Sequence, residues 1–230
     1  SASNLFINSS RQLGAGYTNV AGDVLINNDT TKGMLTYFKG LFEDKTLVLP
    51  IEWEAPFGSD NFLAQDVCMT IGSTAGIDYN NPFTKLEFED RFEIGVLPVP
   101  QFEGKTQSAM QQGPNIAIME NTDDAERLAS WLLIKYLTNT ENTAKWAIDT
   151  GYLPVRKSGG ASDLYQNFLT APTQDLAVES LSANAAYASI GFNDYDPAFA
   201  GIGKISSAKV REEAGYAIEA VYIGTKTVEE

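Results

Sequence analysis

The sequence predicts an α/β protein with a helical C-terminal section, and three observations carry that expectation. Helical and strand-like patterns alternate up to about residue 120. Beyond that point the pattern is nearly all helix. Loops rich in glycine and small polar residues follow the strand-like runs, as they do at the carboxyl ends of strands in α/β sheets.

Taken in order, residues 31–43 place Met34, Leu35, Phe38, Leu41 and Phe42 on one helical face. Residues 67–71, 92–97 and 115–119 are short apolar runs bounded by Gly, Pro or Asn, the pattern of buried strands. After Asn121-Thr122-Asp123-Asp124, a stripe of Ala125, Leu128, Ala129, Leu132, Leu133, Tyr136 and Leu137 predicts a helix. Thr122 and Asp123 are its candidate caps. Asn139-Thr140-Glu141 restarts a shorter helix that should stop at Gly151. Val210, Ala214, Ala217, Ile218, Val221 and Tyr222 mark a last long helix, stopped at Gly224. There is no internal repeat and no low-complexity tract.

Composition narrows the chemistry. The 230 residues are 43% hydrophobic and 20% charged, enough for a real core. No run approaches the roughly 18–20 apolar residues of a membrane span. Sixteen basic against thirty acidic residues give a net charge of −14, a field that repels phosphate backbones and argues against nucleic acid as partner. The absence of histidine removes the usual general base, the commonest zinc ligand and the Ser-His-Asp and Cys-His triads. The single cysteine, Cys68, lies in an apolar run and reads as a buried strand residue. The chain opens at Ser1 with neither initiator methionine nor signal-like segment, so a start produced by truncation is expected.

Three loops stand out: Gly72-Ser73-Thr74-Ala75-Gly76, Gln111-Gln112-Gly113-Pro114 and Thr150-Gly151-Tyr152-Leu153-Pro154. The first lacks the lysine and the Gly-Lys-Ser/Thr ending of a phosphate loop, but its hydroxyls and amides suit a sugar hydroxyl or a single anion. Plain turn chemistry is the competing reading of each. Asn193-Asp194-Tyr195-Asp196-Pro197 alternates carboxylates without the glycine and distal glutamate of a calcium loop, and reads as a solvated loop. No pair among the thirty acids is singled out for glycosidic cleavage. Trp131 and Trp146 fall in helical stretches and read as packing residues; Trp53 lies outside any clear element. Tyr152, held between Gly151 and Leu153-Pro154, can present a rigid ring at a cleft.

Several of these runs, in this order, resemble the family 1 extracellular solute-binding proteins, relatives of the maltose- and glycerol-3-phosphate-binding proteins. They are Phe92-Glu93-Ile94-Gly95-Val96-Leu97-Pro98-Val99-Pro100, Gln112-Gly113-Pro114-Asn115-Ile116-Ala117-Ile118 and Leu132-Leu133-Ile134-Lys135-Tyr136-Leu137. Glu141-Asn142-Thr143-Ala144-Lys145-Trp146 then leads to Thr150-Gly151-Tyr152-Leu153-Pro154-Val155, and the closing segment runs from Val210-Arg211-Glu212 to Glu230. Asn61-Phe62-Leu63-Ala64-Gln65 and Cys68-Met69-Thr70-Ile71-Gly72-Ser73 resemble a further family stretch, with its usual glycine absent.

The resemblance implies a periplasmic-binding-protein-like (type II) two-lobe fold, of which this chain holds mostly the C-terminal lobe. Residues 1–94 would belong to that lobe, 95–150 to the N-terminal lobe, and 151–230 to the hinge return and C-terminal-lobe helices. An N-lobe segment without its partner strands should expose apolar surface. Ser73 and Thr74, the amides at Gly113, the Tyr152 ring and Arg211 on the final helix would face the ligand. The implied function is non-enzymatic: capture of a sugar, polyol or glycerophosphate ester by lobe closure, and delivery to an ABC permease in the membrane. No cofactor and no metal are implied. The protein would be extracellular or periplasmic, anchored as a lipoprotein in its full-length form. A carbohydrate-active enzyme and a surface adhesin are the alternatives from other classes.

Overall fold

A computed structural model describes residues 2–19, 21, 23–55, 57–120, 123–192 and 207–230. In chain order its helices are α1 (Ala2–Gln12), α2 (Asp29–Glu43), α3 (Gly58–Leu63), α4 (Pro82–Lys85), α5 (Asp124–Leu137), α6 (Thr140–Thr150), α7 (Lys157–Gly160), α8 (Asp163–Thr170), α9 (Ala177–Ala188) and α10 (Ser207–Tyr222). The chain divides into two compact units. The first comprises Ser1–Asn61, Val99–Gln111 and Gly191–Glu230; the second comprises Phe62–Pro98 and Gln112–Ile190.

In the first unit α1 packs along α10, with α2 against both. Asn28 caps α2 by accepting from Thr31 N at 2.9 Å, and the periodic residues Met34, Leu35, Phe38 and Phe42 are buried as expected. They share one core with Phe6, Ile7, Tyr17, Leu49, Val210, Ala214 and Ile218. Helix α1 carries too few apolar residues to announce itself: its buried face includes Ser9, Ser10 and Gln12. Ser10 Oγ donates back to Phe6 O at 2.7 Å, which satisfies its buried hydroxyl. Gln12 holds the Val99–Gln111 segment in place of strand pairing. Its Nε2 donates to Pro100 O and Ser108 O, both at 3.1 Å, and its Oε1 accepts from Phe102 N at 3.0 Å.

The second unit centres on α6, α8 and α9, which bury Ala144, Ala147, Tyr165, Phe168 and Ala183. Asn139 caps α6 through Asn142 N at 2.8 Å, and Ser162 caps α8 through Tyr165 N at 3.3 Å. Asp123 caps α5 by accepting from Glu126 N at 2.9 Å; Thr122, the other candidate cap, lies outside the described residues. The expected apolar exposure is observed on α5, which buries none of its residues: Leu132 is 54% and Leu133 56% exposed.

Several expectations are corrected. No strand forms at 67–71, 92–97 or 115–119, and the one β-bridge among the described residues joins Thr18 and Val24. A strand exists only through a partner's hydrogen bonds, and these runs have the apolar pattern without that partner among the described residues. The described residues are therefore helix-rich and do not themselves display α/β layering. For the same reason Cys68 is exposed rather than buried. Trp131 and Trp146 are 51% and 53% exposed rather than core residues. The stretch Asn193-Asp194-Tyr195-Asp196-Pro197 lies outside the described residues.

Candidate functional site

Helix α6 brings two of the three glycine loops together. It ends at Gly151, whose N–H bonds Ala147 O at 3.0 Å and whose φ of 72° lies in the left-handed region. There the backbone runs against the Thr74 carbonyl. A β-carbon on Gly151 would stand 2.3 Å from Thr74 O and 3.3 Å from Ile77 Cγ2, so both conformation and space require glycine.

Tyr152 follows directly and is half-buried. Its turn is braced where Val155 N donates to Thr143 Oγ1 at 2.9 Å, a hydroxyl fixed on α6. The Tyr152 ring reaches the third loop: a β-carbon on Gly113 would lie 3.9 Å from Tyr152 Cε1. Ser73 and Thr74, Gly113, and Tyr152 thus belong to one unit, with Gly151 against Thr74 and Tyr152 against Gly113.

Ser73 caps a 3₁₀ turn, Thr74–Asn80, its Oγ accepting from Ala75 N at 3.3 Å. The Gly72 and Gly76 α-carbons border open space. Asp78 in the turn accepts from Lys85 Nζ at 2.6 Å, which occupies the nearby cation. The arrangement offers hydroxyls, backbone amides and an aromatic face, a set that hydrogen-bonds and stacks on a small polar ligand.

Arg211 belongs to the other unit. It sits on α10 and donates to Asn4 Oδ1 on α1 at 2.8 Å. Its neighbours Glu212 and Glu213 are paired with Lys209, at 3.0 and 2.8 Å.

Two residues of this region escaped the sequence reading. Asn81, at the end of the 3₁₀ turn, donates to the Glu179 carboxylate on α9. Asn81-Pro82 is a recognisable helix start, since Asn caps and Pro favours the first turn; its long-range partner leaves no local signal. Among the described residues, no group of three or more His, Cys, Asp or Glu gathers to hold a metal, and no helix is long and apolar enough to cross a membrane.

A family model described as bacterial extracellular solute-binding protein matches residues 3–173. The chain belongs to that family. The match runs through Ser73, Thr74, Gly113 and Tyr152 and ends before Arg211. No curated protein is significantly similar to the chain. Membership makes this solute-binding protein an extracellular or periplasmic binding component of an ABC transporter, with a small molecule as its ligand.

Proposed function

We propose that this solute-binding protein captures an uncharged polyhydroxyl ligand, a sugar or polyol, by lobe closure and delivers it to an ABC permease without altering it. The observation that carries this reading is the convergence of the Thr74 loop, Gly113 and the Tyr152 turn within one unit. Ser73 and Thr74 would supply hydroxyls, Gly113 backbone amides, and Tyr152 a stacking face for the pyranose or polyol carbons.

The charges favour a neutral ligand. Lys85, the cation beside the turn, is paired with Asp78. Two carboxylates close to the turn have other partners, Asp78 with Lys85 and Glu179 with Asn81, which supports binding over glycosidic cleavage. In the full-length form we propose lipoprotein anchoring, with the lobes divided as the resemblance implies.

The test is a thermal-shift screen of the full-length protein against monosaccharides, oligosaccharides, polyols and glycerophosphate esters. A ligand at 100 times its Kd stabilises the native state by about 2.7 kcal/mol. We expect a selective rise with one uncharged class, abolished by Tyr152→Ala, with the compound recovered unchanged. A rise only with glycerophosphate esters, lost in Arg211→Ala, would replace the sugar reading with the phosphoester one. Conversion of a glycoside would replace it with catalysis.

A further inference from the structure

We propose that Asn81 and Glu179 are positioning residues that set the Thr74–Asn80 turn for ligand; this rests on the reading of that turn as part of the binding site. The two are buried together, Asn81 with 0% and Glu179 with 8% of its surface exposed. A carboxylate removed from water is costly unless its oxygens are bonded. Here Asn81 Nδ2 donates to both, at 2.9 Å to Oε1 and 3.2 Å to Oε2, and lies 3.4 Å from Asp175 O.

Every other polar group of Asn81 is also engaged. Its Oδ1 accepts from Phe83 N at 3.0 Å and so caps α4. Its N–H donates to Asp78 O at 3.3 Å, closing the 3₁₀ turn. Its carbonyl accepts from Thr84 N and Lys85 N, at 3.3 and 3.1 Å. One residue therefore ends the turn through its backbone, and through its side chain starts the next helix and ties both to the first turn of α9, where a carboxylate is favoured by the helix N-terminus.

The capping bond removes the choice of amide orientation. With Oδ1 given to Phe83 N, only Nδ2 can face α9, and a carboxylate is the acceptor that takes it. The turn is thus fixed at both ends: Gly151 lies against Thr74 O at its start, and Glu179 holds Asn81 at its finish. Between these two points lie the groups proposed to meet ligand. An apolar contact would have filled the same space without desolvating a charge. A directional buried pair sets position, which apolar packing does less sharply.

The test exchanges donor and acceptor in the full-length protein, using Asn81→Asp, Glu179→Gln and the double variant. Aspartate keeps the cap on Phe83 N but turns a second oxygen toward Glu179, so two carboxylates meet. Glutamine at 179 in that background restores a donor-acceptor pair of reversed polarity at the same net charge. Amide hydrogen exchange of residues 74–80 and Kd for D-glucose, maltose and sorbitol are the readouts.

We expect Asn81→Asp to speed exchange of the turn and to weaken sugar binding, each about tenfold, and the double variant to recover both to within a few-fold of wild type. Glu179→Gln alone, which retains an acceptor, should stay near wild type. If Asn81→Asp does not fold, Glu179→Ala against Glu179→Gln gives the same comparison. A double variant no better than Asn81→Asp, or a turn whose exchange is unchanged, overturns the proposal. So does altered exchange with unaltered affinity. If the wild type binds none of the three compounds, the sugar reading of the site has failed. Exchange alone then decides whether the pair positions the turn: faster in Asn81→Asp and restored in the double variant supports it, and unchanged exchange overturns it.

Discussion

Replacing Gly151 by alanine adds one methyl group at the place where α6 ends and the Thr74 loop passes. Two separable costs follow. The first is conformational: φ is 72°, and an L-residue in the left-handed region costs roughly 1–2 kcal/mol. The second is spatial, because the new methyl would stand 2.3 Å from Thr74 O and 3.0 Å from Thr74 C. A comfortable carbon-oxygen contact is roughly 3.3–3.6 Å, so the carbonyl must retreat by about 1 Å. Overpacking of this kind costs about 1–3 kcal/mol. The neighbour is backbone, so it cannot yield by a change of rotamer.

Gly224 supplies the control. Its φ is 73°, and a β-carbon there meets nothing within 4 Å. Gly224→Ala should therefore cost only the conformational part, roughly 1–2 kcal/mol, while Gly151→Ala should cost about 2–5 kcal/mol. Denaturant unfolding measures both, and hydrogen exchange of residues 74–80 reports whether the added cost falls on the Thr74 loop. Equal losses in the two variants, or a Gly151→Ala protein with an unchanged Thr74 loop, would refute the claim that the α6 terminus and the loop are packed into one site.

Other substitutions test separate parts of the structure. Burial, with Tyr187 alongside at a ring-centroid distance of 6.0 Å, pushes the Tyr165 phenol well above its ordinary range. The folded state therefore keeps a proton that the unfolded chain releases from about pH 10, and stability present below that pH falls above it by at most about 1.4 kcal/mol per pH unit. Alkaline unfolding of Tyr165→Phe should show a shallower decline, and an unaltered slope would contradict this. Arg211→Ala removes the bond to Asn4 between α10 and α1 and should destabilise the first unit by about 1 kcal/mol without changing the affinity for an uncharged sugar. Leu132→Ala, on the exposed stripe of α5, should alter stability by less than about 0.5 kcal/mol, where the same change in a packed helix would cost several times more.

The sequence showed the helices best where caps and apolar spacing coincide. Asn28, Asp123 and Asn139 cap helices that periodicity also marks, and Gly151 and Gly224 take the left-handed conformation just after α6 and α10 end. Helix α1 was missed because its buried face is half polar; Ser10 and Gln12 are compatible with burial only through bonds to Phe6 O and to a segment some 90 residues away. Periodicity was read correctly on α5 but says only which face is apolar, not whether anything covers it. The runs at 67–71, 92–97 and 115–119 failed for a related reason. Apolar runs specify a strand's faces, while the strand itself depends on a partner that no local pattern can supply.

The site divides along the same line. Ser73, Thr74, Gly113 and Tyr152 were legible because each stands in a loop whose turn residues have a local cause, and the fold places these loops in one unit. Arg211 carried a functional reading from position alone, and its bond to Asn4 joins residues 207 apart through α1, a helix the pattern concealed. Asn81 and Glu179 lie between these cases. The cap is written in Asn81-Pro82, but its tie to α9 joins residues 98 apart, so it emerges only when α9 has been packed. Local chemistry thus presents the groups that could touch a ligand, and long-range polar pairs decide where those groups stand. If so, loss of the Asn81–Glu179 pair should impair binding even though neither residue is proposed to touch ligand. A site built from loop chemistry alone would not respond to that loss.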